Sequence, residues 1–150
     1  MLMTQGGRFS GYGLYLKDGG PTFTMNLLDI ERPKWQGADA LPPGKHTLVF
    51  DWKMEARGEP LGRGGTGTLS VDGNQVAQRS LPRGQPIIWA WDETFEVGLD
   101  TGKPVDDKDY QVPFAFTGKL GKITIDLGES SVSPEAIKVM MEQLAQKRDR

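Results

Sequence analysis

The sequence predicts an all-β protein: an antiparallel sandwich of two facing sheets, with one α-helix at the C-terminal end. Three observations predict it. Apolar and polar residues alternate along several short runs, which is the period of a half-buried strand. Twenty glycines and ten prolines fall between those runs rather than in one block, a spacing that marks many turns and not a disordered tract. A helical spacing of apolar residues occurs only after Ser133.

Taken in order, Gly7 to Leu28 reads as a hairpin. Tyr12, Leu14 and Leu16 alternate with Gly13 and Tyr15, Lys17-Asp18-Gly19-Gly20 supplies turn chemistry, and Thr22 to Leu28 returns. Ile30 to Gly44, with its prolines and Trp35, is expected to be a long surface connection. His46 to Met54 is a strand with Leu48, Phe50 and Trp52 on one face. After the glycine-rich stretch Glu55 to Gly65, a second hairpin turns at Asp72-Gly73, where a type I′ turn suits residues that tolerate positive φ. Pro86 to Trp91 and Thr94 to Gly98 are two short strands, and Leu99 to Val112 is an acidic loop. Phe114 to Thr117 leads into a last strand, Lys122 to Leu127, with Ile123, Ile125 and Leu127 inward.

The tail changes character. Ser133 is a good N-cap, Pro134 suits the first helical position, and Ile137, Met140, Met141 and Leu144 recur at helical spacing. Residues 1–128 are thus expected to be a β-sandwich module, and 129–150 a helical tail packed on it or on a partner.

Composition narrows the functions open to the chain. At 150 residues it is large enough to bury a real core without metal or disulfide help. A net charge of −2 argues against nucleic acid, which needs a concentrated basic face. The absence of cysteine removes disulfides, thiol catalysis and thiolate metal sites together. No apolar run approaches a membrane span, and Met1 to Gly7 carries no signal-peptide pattern.

A series of segments carries a family resemblance. They are Gln5 to Phe9, Gly11 to Gly19, Asn26 to Asp29, Leu41 to Thr47, Gly64 to Ala77, Trp91 to Phe95, Asp100 to Val105 and Tyr110 to Lys119. In this order, across roughly residues 5 to 127, they resemble the β-rich C-terminal module of bacterial arylsulfatase-type sulfatases. The module is also similar to a laminin-G or concanavalin-like jelly roll. The resemblance implies a two-sheet sandwich, a sulfatase catalytic domain as partner, and a family that is often periplasmic or secreted. The family's nucleophile is a Cys or Ser followed by x-Pro-x-Arg. Here there is no cysteine, and Ser80-Leu81-Pro82-Arg83 is one residue short of that spacing. The expected role is therefore non-catalytic, structural or binding, with a stand-alone lectin-like carbohydrate binder as the alternative.

Four groups of residues are candidate sites. Trp35, Trp89 and Trp91 offer flat apolar faces on which a sugar could stack, against the default of core packing. Asp100, Asp106, Asp107 and Asp109 are oxygen ligands on a loop, the donor type calcium prefers. The competing reading is an acidic face salt-bridged to Arg63, Arg79 or Arg83. Asp100-Thr101-Gly102 copies the aspartic-protease triplet but lacks its flanking residues, so it is read as a turn. His46, the single histidine, has no His or Cys partner and is read as an exposed residue. Finally, a module without its parent retains an orphaned interface, so self-association through the Met-rich helix stripe is expected.

Overall fold

A computed structural model describes residues 1–55, 63–84, 93–128 and Lys138. The chain divides into two units, Met1–Leu120 and Gly121–Arg150. The first unit is mostly β, and all of its strand pairs are antiparallel.

β1 (Met3–Gly6), β2 (Gly11–Lys17), β3 (Gly20–Asn26), β4 (Lys34–Gln36) and β8 (Phe95–Val97) form a five-stranded sheet in the order β4-β3-β2-β1-β8. β5 (Leu48–Met54), β6 (Gly65–Val71) and β7 (Asn74–Leu81) form a three-stranded sheet, and β9 (Leu99–Asp100) pairs with β10 (Phe114–Ala115). Both expected hairpins are present. Their turns carry positive φ at Asp18 and Gly19, and at Asp72 and Gly73, the geometry that matches the twist of paired strands.

The two larger sheets face each other through an aromatic layer. Phe23 and Trp35 from the five-stranded sheet and Leu69 and Leu81 from the three-stranded sheet are buried together, with Tyr12, Leu14, Phe50 and Trp52 packed against them. Phe23 stacks on Phe50, and the Trp35 indole meets Phe50 and Trp52 edge-on at centroid distances of 5.1 and 6.1 Å. The indole N–H of Trp35 donates to the Arg79 carbonyl at 3.3 Å.

The alternation Gly65-Thr66-Gly67 makes room for these rings. A Cβ on Gly67 would lie 2.6 Å from the Trp35 ring, and one on Gly65 would lie 2.6 Å from that of Trp52. Gly67→Ala is therefore expected to cost about 1–3 kcal/mol through overpacking. Urea unfolding followed by tryptophan fluorescence measures it; an unchanged midpoint would mean that the two sheets separate freely.

Two expectations are corrected. The surface connection from Ile30 to Gly44 contains β4, because Trp35 at its centre pairs opposite Phe23 and fills the sandwich. Lys122 to Leu127 forms no strand; Ile125 and Leu127 are 48% and 87% exposed. β1, on which the sequence reading was silent, adds a strand at Met3–Gly6, with Met3 opposite Leu14 and Thr4 opposite Gly13. The expected strand Pro86 to Trp91 lies outside the described residues, as does the terminal helix apart from Lys138, which is helical and exposed.

Candidate functional site

The five-stranded sheet is buried on both faces, and its second face is polar. Register places Thr4, Gly13, Thr24 and Lys34 in one row across β1, β2, β3 and β4. Tyr15, Lys17, Thr22 and Asn26 share that face by the two-residue period of a strand. The segment Leu99 to Phe116 lies over it as a roof, with Met1, Tyr15 and Tyr110 forming a small second core that Val112 and Phe114 extend.

Charge fastens the roof. Lys34 donates to Asp106 at 2.8 Å and to Asp109 at 2.7 Å, and Lys17 donates to Asp109 at 2.6 Å. The Tyr15 hydroxyl donates to the other oxygen of Asp109 at 2.6 Å. Both carboxylates are 1% exposed at the side chain. Two lysines thus neutralise two aspartates, the condition under which buried charges are tolerated.

Their protonation follows. Burial pushes Asp109 up, but hydrogen bonds from Lys17, Lys34 and Tyr15 outweigh it and hold the carboxyl below the usual range. Burial pulls Lys34 down, yet its bonds to Asp106 and Asp109 raise it overall. Tyr15 is raised far above an ordinary phenol by burial and by Asp109, so it stays a neutral donor.

A second cluster closes the far end of the roof. Tyr110 donates to Asp100 at 2.6 Å and accepts from the Val105 amide at 3.0 Å. Burial raises the Asp100 carboxyl, an effect the Tyr110 and Gly102 bonds oppose only in part. Asn26 donates to the carbonyls of Gly7, Arg8 and Val105, tying the β1–β2 turn to the roof. Arg32 adds a bond to the Val105 carbonyl at 3.1 Å.

These contacts correct the calcium expectation. Asp100, Asp106, Asp107 and Asp109 do not converge on one point: Asp100 serves Tyr110, Asp106 and Asp109 serve the lysines, and Asp107 is exposed beside Arg32. Among the described residues no group of three or more His, Cys, Asp or Glu could hold a metal ion. The expected arginine partners are corrected as well, since Lys17, Lys34 and Arg32 take those roles and Arg83 sits 3.7 Å from Glu31. Asp100 ends β9 and Thr101-Gly102 leave it: the Gly102 amide bonds the Asp100 carboxylate and Thr101 bonds Glu96.

Trp35 is 1% exposed inside the sandwich, so it presents no face to a sugar. Trp89 and Trp91 lie outside the described residues. Ser80 is at the end of β7, its hydroxyl 2.7 Å from that of Thr66.

His46 is more than an exposed side chain. Its Nδ1 faces the Asp72 carboxylate at 2.7 Å and its Nε2 faces the Pro42 carbonyl at 2.8 Å. Neither acceptor can donate, so the imidazolium satisfies both contacts where the neutral ring satisfies one. Asp72 first, and the Pro42 carbonyl second, raise its pKa above 6.5. The clamp's contribution is thus full below the unfolded value and disappears as pH rises through the folded one. An NMR titration of the ring carbons is expected to give a pKa above 6.5, with Asp72→Asn bringing it back toward that value. Equal titration of the two proteins would refute the clamp.

The sequence reading missed Tyr15, Lys17, Asn26, Lys34 and Tyr110. One signal existed: Thr22, Thr24 and Asn26 at every second position of β3, with Tyr15 and Lys17 on the same face of β2, the face that a lone sheet would turn to water. No protein-family profile, curated protein or solved structure matches the chain.

Proposed function

We propose that this chain is a non-catalytic β-sandwich module of the arylsulfatase C-terminal type, with a structural or binding role against a sulfatase catalytic domain. In this reading the sandwich is a jelly roll, and the helix expected after Ser133 covers the module or its partner. The observation that carries the reading is the roof. Its aspartates, lysines and tyrosines bond one another across a sheet face, so they support a rigid scaffold rather than a reacting centre. The ordered series of segments between Gln5 and Lys119 supplies the family.

Two measurements test it. A bacterial arylsulfatase catalytic domain stripped of its own C-terminal module is expected to bind the purified chain by calorimetry and to melt higher in its presence. No heat and no shift would overturn the docking role. Chromogenic aryl-sulfate hydrolysis by the chain alone is expected to stay at buffer background, and turnover above it would overturn the non-catalytic role. The lectin-like alternative retains Trp89 and Trp91 as its platform, and a glycan array decides it.

A further inference from the structure

At one end of the five-stranded sheet, two turns expose large apolar side chains. The β1–β2 turn presents Phe9, 59% exposed, and the β3–β4 turn presents Leu28 and Ile30, 43% and 81% exposed. Leu28 and Asp29 both adopt left-handed backbone, with φ of 57° and 62°. A turn of this hand is ordinarily filled by Asn-Gly, and a leucine there is strained. Local stability therefore does not account for an apolar residue at this tip.

The two tips are held as one body. The Asn26 side chain bonds the Gly7 and Arg8 carbonyls, and its Oδ1 accepts from the Asp29 amide at 2.8 Å. Arg8 lies over the Phe9 ring and reaches Asp29 at 3.8 Å, while its side chain remains 60% exposed. The result is a rigid apolar knob edged by Arg8 and Arg32 on either side of Asp29.

The opposite end of the sandwich carries a complementary shape. A shallow groove of about 320 Å³ runs between the 37–42 segment and the β6–β7 hairpin, walled by Pro21, Ala38, Ala40, Leu41, Val71 and Val76. It holds one carboxylate, the exposed Asp39, which forms no ion pair among the described residues. That volume equals roughly ten waters, room for two branched aliphatic side chains.

We propose that the knob of one copy seats in the groove of the next, with Leu28 and Ile30 against the apolar walls and Arg8 beside Asp39. Three observations favour a second copy over an unrelated partner: knob and groove lie on the same chain, Arg8 and Asp39 are of opposite charge, and the groove has room for the Leu28 and Ile30 side chains. Because they occupy opposite ends, the contact is head-to-tail and does not close on itself. It does not rest on the sulfatase reading. A contact this small is weak, with Kd on the order of 0.1–1 mM.

Sedimentation equilibrium of the full chain from micromolar to millimolar concentration tests the proposal. The weight-average mass is expected to rise at least about twofold without a plateau at the dimer. A monomer throughout, or a plateau at the dimer, would overturn it. Ile30→Glu removes the knob and Ala38→Glu fills the mouth of the groove. Both sites are exposed, and unchanged urea midpoints confirm that the variants fold. Each variant alone is expected to stay monomeric, while an equimolar mixture pairs one intact knob with one intact groove and stops at the dimer. A mixture that stays monomeric, or variants that associate as strongly as the wild type, would overturn the head-to-tail contact.

Discussion

Trp35→Ala is expected to lower the stability of the sandwich by about 3–5 kcal/mol, the usual cost of emptying a buried aromatic site. The large value follows from where the indole sits. It hangs from the short strand β4, yet meets Phe23 of its own sheet and Phe50 and Trp52 of the facing one. Its N–H also donates to the Arg79 carbonyl, a bond the substitution removes. Both neighbouring rings are themselves packed against Gly65 and Gly67, so little is free to move into the space. Domains of this size hold roughly 5–15 kcal/mol in total, so a large share of the stability is at stake. With a urea m-value of about 1–3 kcal/mol/M, the midpoint is expected to fall by more than about 1 M with m unchanged. A shift below about 0.3 M would show that Trp35 does not join the sheets.

The same residue shows how far the sequence could be read. Strands with a clean two-residue period were legible: β2, β3, β5, β6 and β7 stand where alternation and Asp-Gly or Asp-Gly-Gly turn chemistry placed them. β4 was not, because three residues give too few positions for a period and its flanking prolines read as loop. Its only mark was Trp35, which reads equally as an exposed platform or a core anchor until a facing sheet is known. Lys122 to Leu127 is the converse error. Its alternation is clean, yet a strand forms only where a neighbour completes the hydrogen-bond ladder, and periodicity carries no information about neighbours.

The candidate site was half legible for a related reason. The acidic stretch stood out, so Asp100, Asp106, Asp107 and Asp109 could be named, but their partners lie between about 70 and 95 residues upstream in the chain for the lysines and Tyr15. Sequence separation hides such pairs. A further signal misled: Tyr15, Lys17, Thr22, Thr24 and Lys34 look like a solvent face in a single sheet. The roof buries that face, and the cost is met by pairing each charge. Polar alternation thus reported the strand correctly and its environment wrongly.

Asp109→Asn is the sharpest test of that pairing. The substitution keeps the shape of the side chain and leaves Tyr15 an acceptor, but it removes the charge that Lys17 and Lys34 share. Lys17 then loses the carboxylate it pairs with, and Lys34 keeps Asp106 alone. Breaking a fully buried pair costs about 3–5 kcal/mol; Lys17 and Lys34 keep 33% and 27% of their side chains exposed, so water screens part of the loss and about 2–3 kcal/mol is expected. The pH dependence identifies the cause. Asp109 is held below its ordinary value, so its contribution is full above the unfolded pKa near 3.8 and is lost as pH falls through the folded one. Asp100 is raised and works in the opposite direction, adding stability in acid that disappears as pH rises through its folded pKa. Urea midpoints measured from about pH 7 to 2.5 are expected to fall in wild type and to fall less in the variant, since only the Asp109 part is gone. Adding Lys17→Met to Asp109→Asn removes the ammonium that loses its carboxylate, keeps the Lys34–Asp106 pair, and is expected to recover part of the loss at neutral pH. An acid profile identical to wild type would mean that the roof is held by Met1, Tyr110 and Phe114 alone, and that the ion pairs merely decorate it.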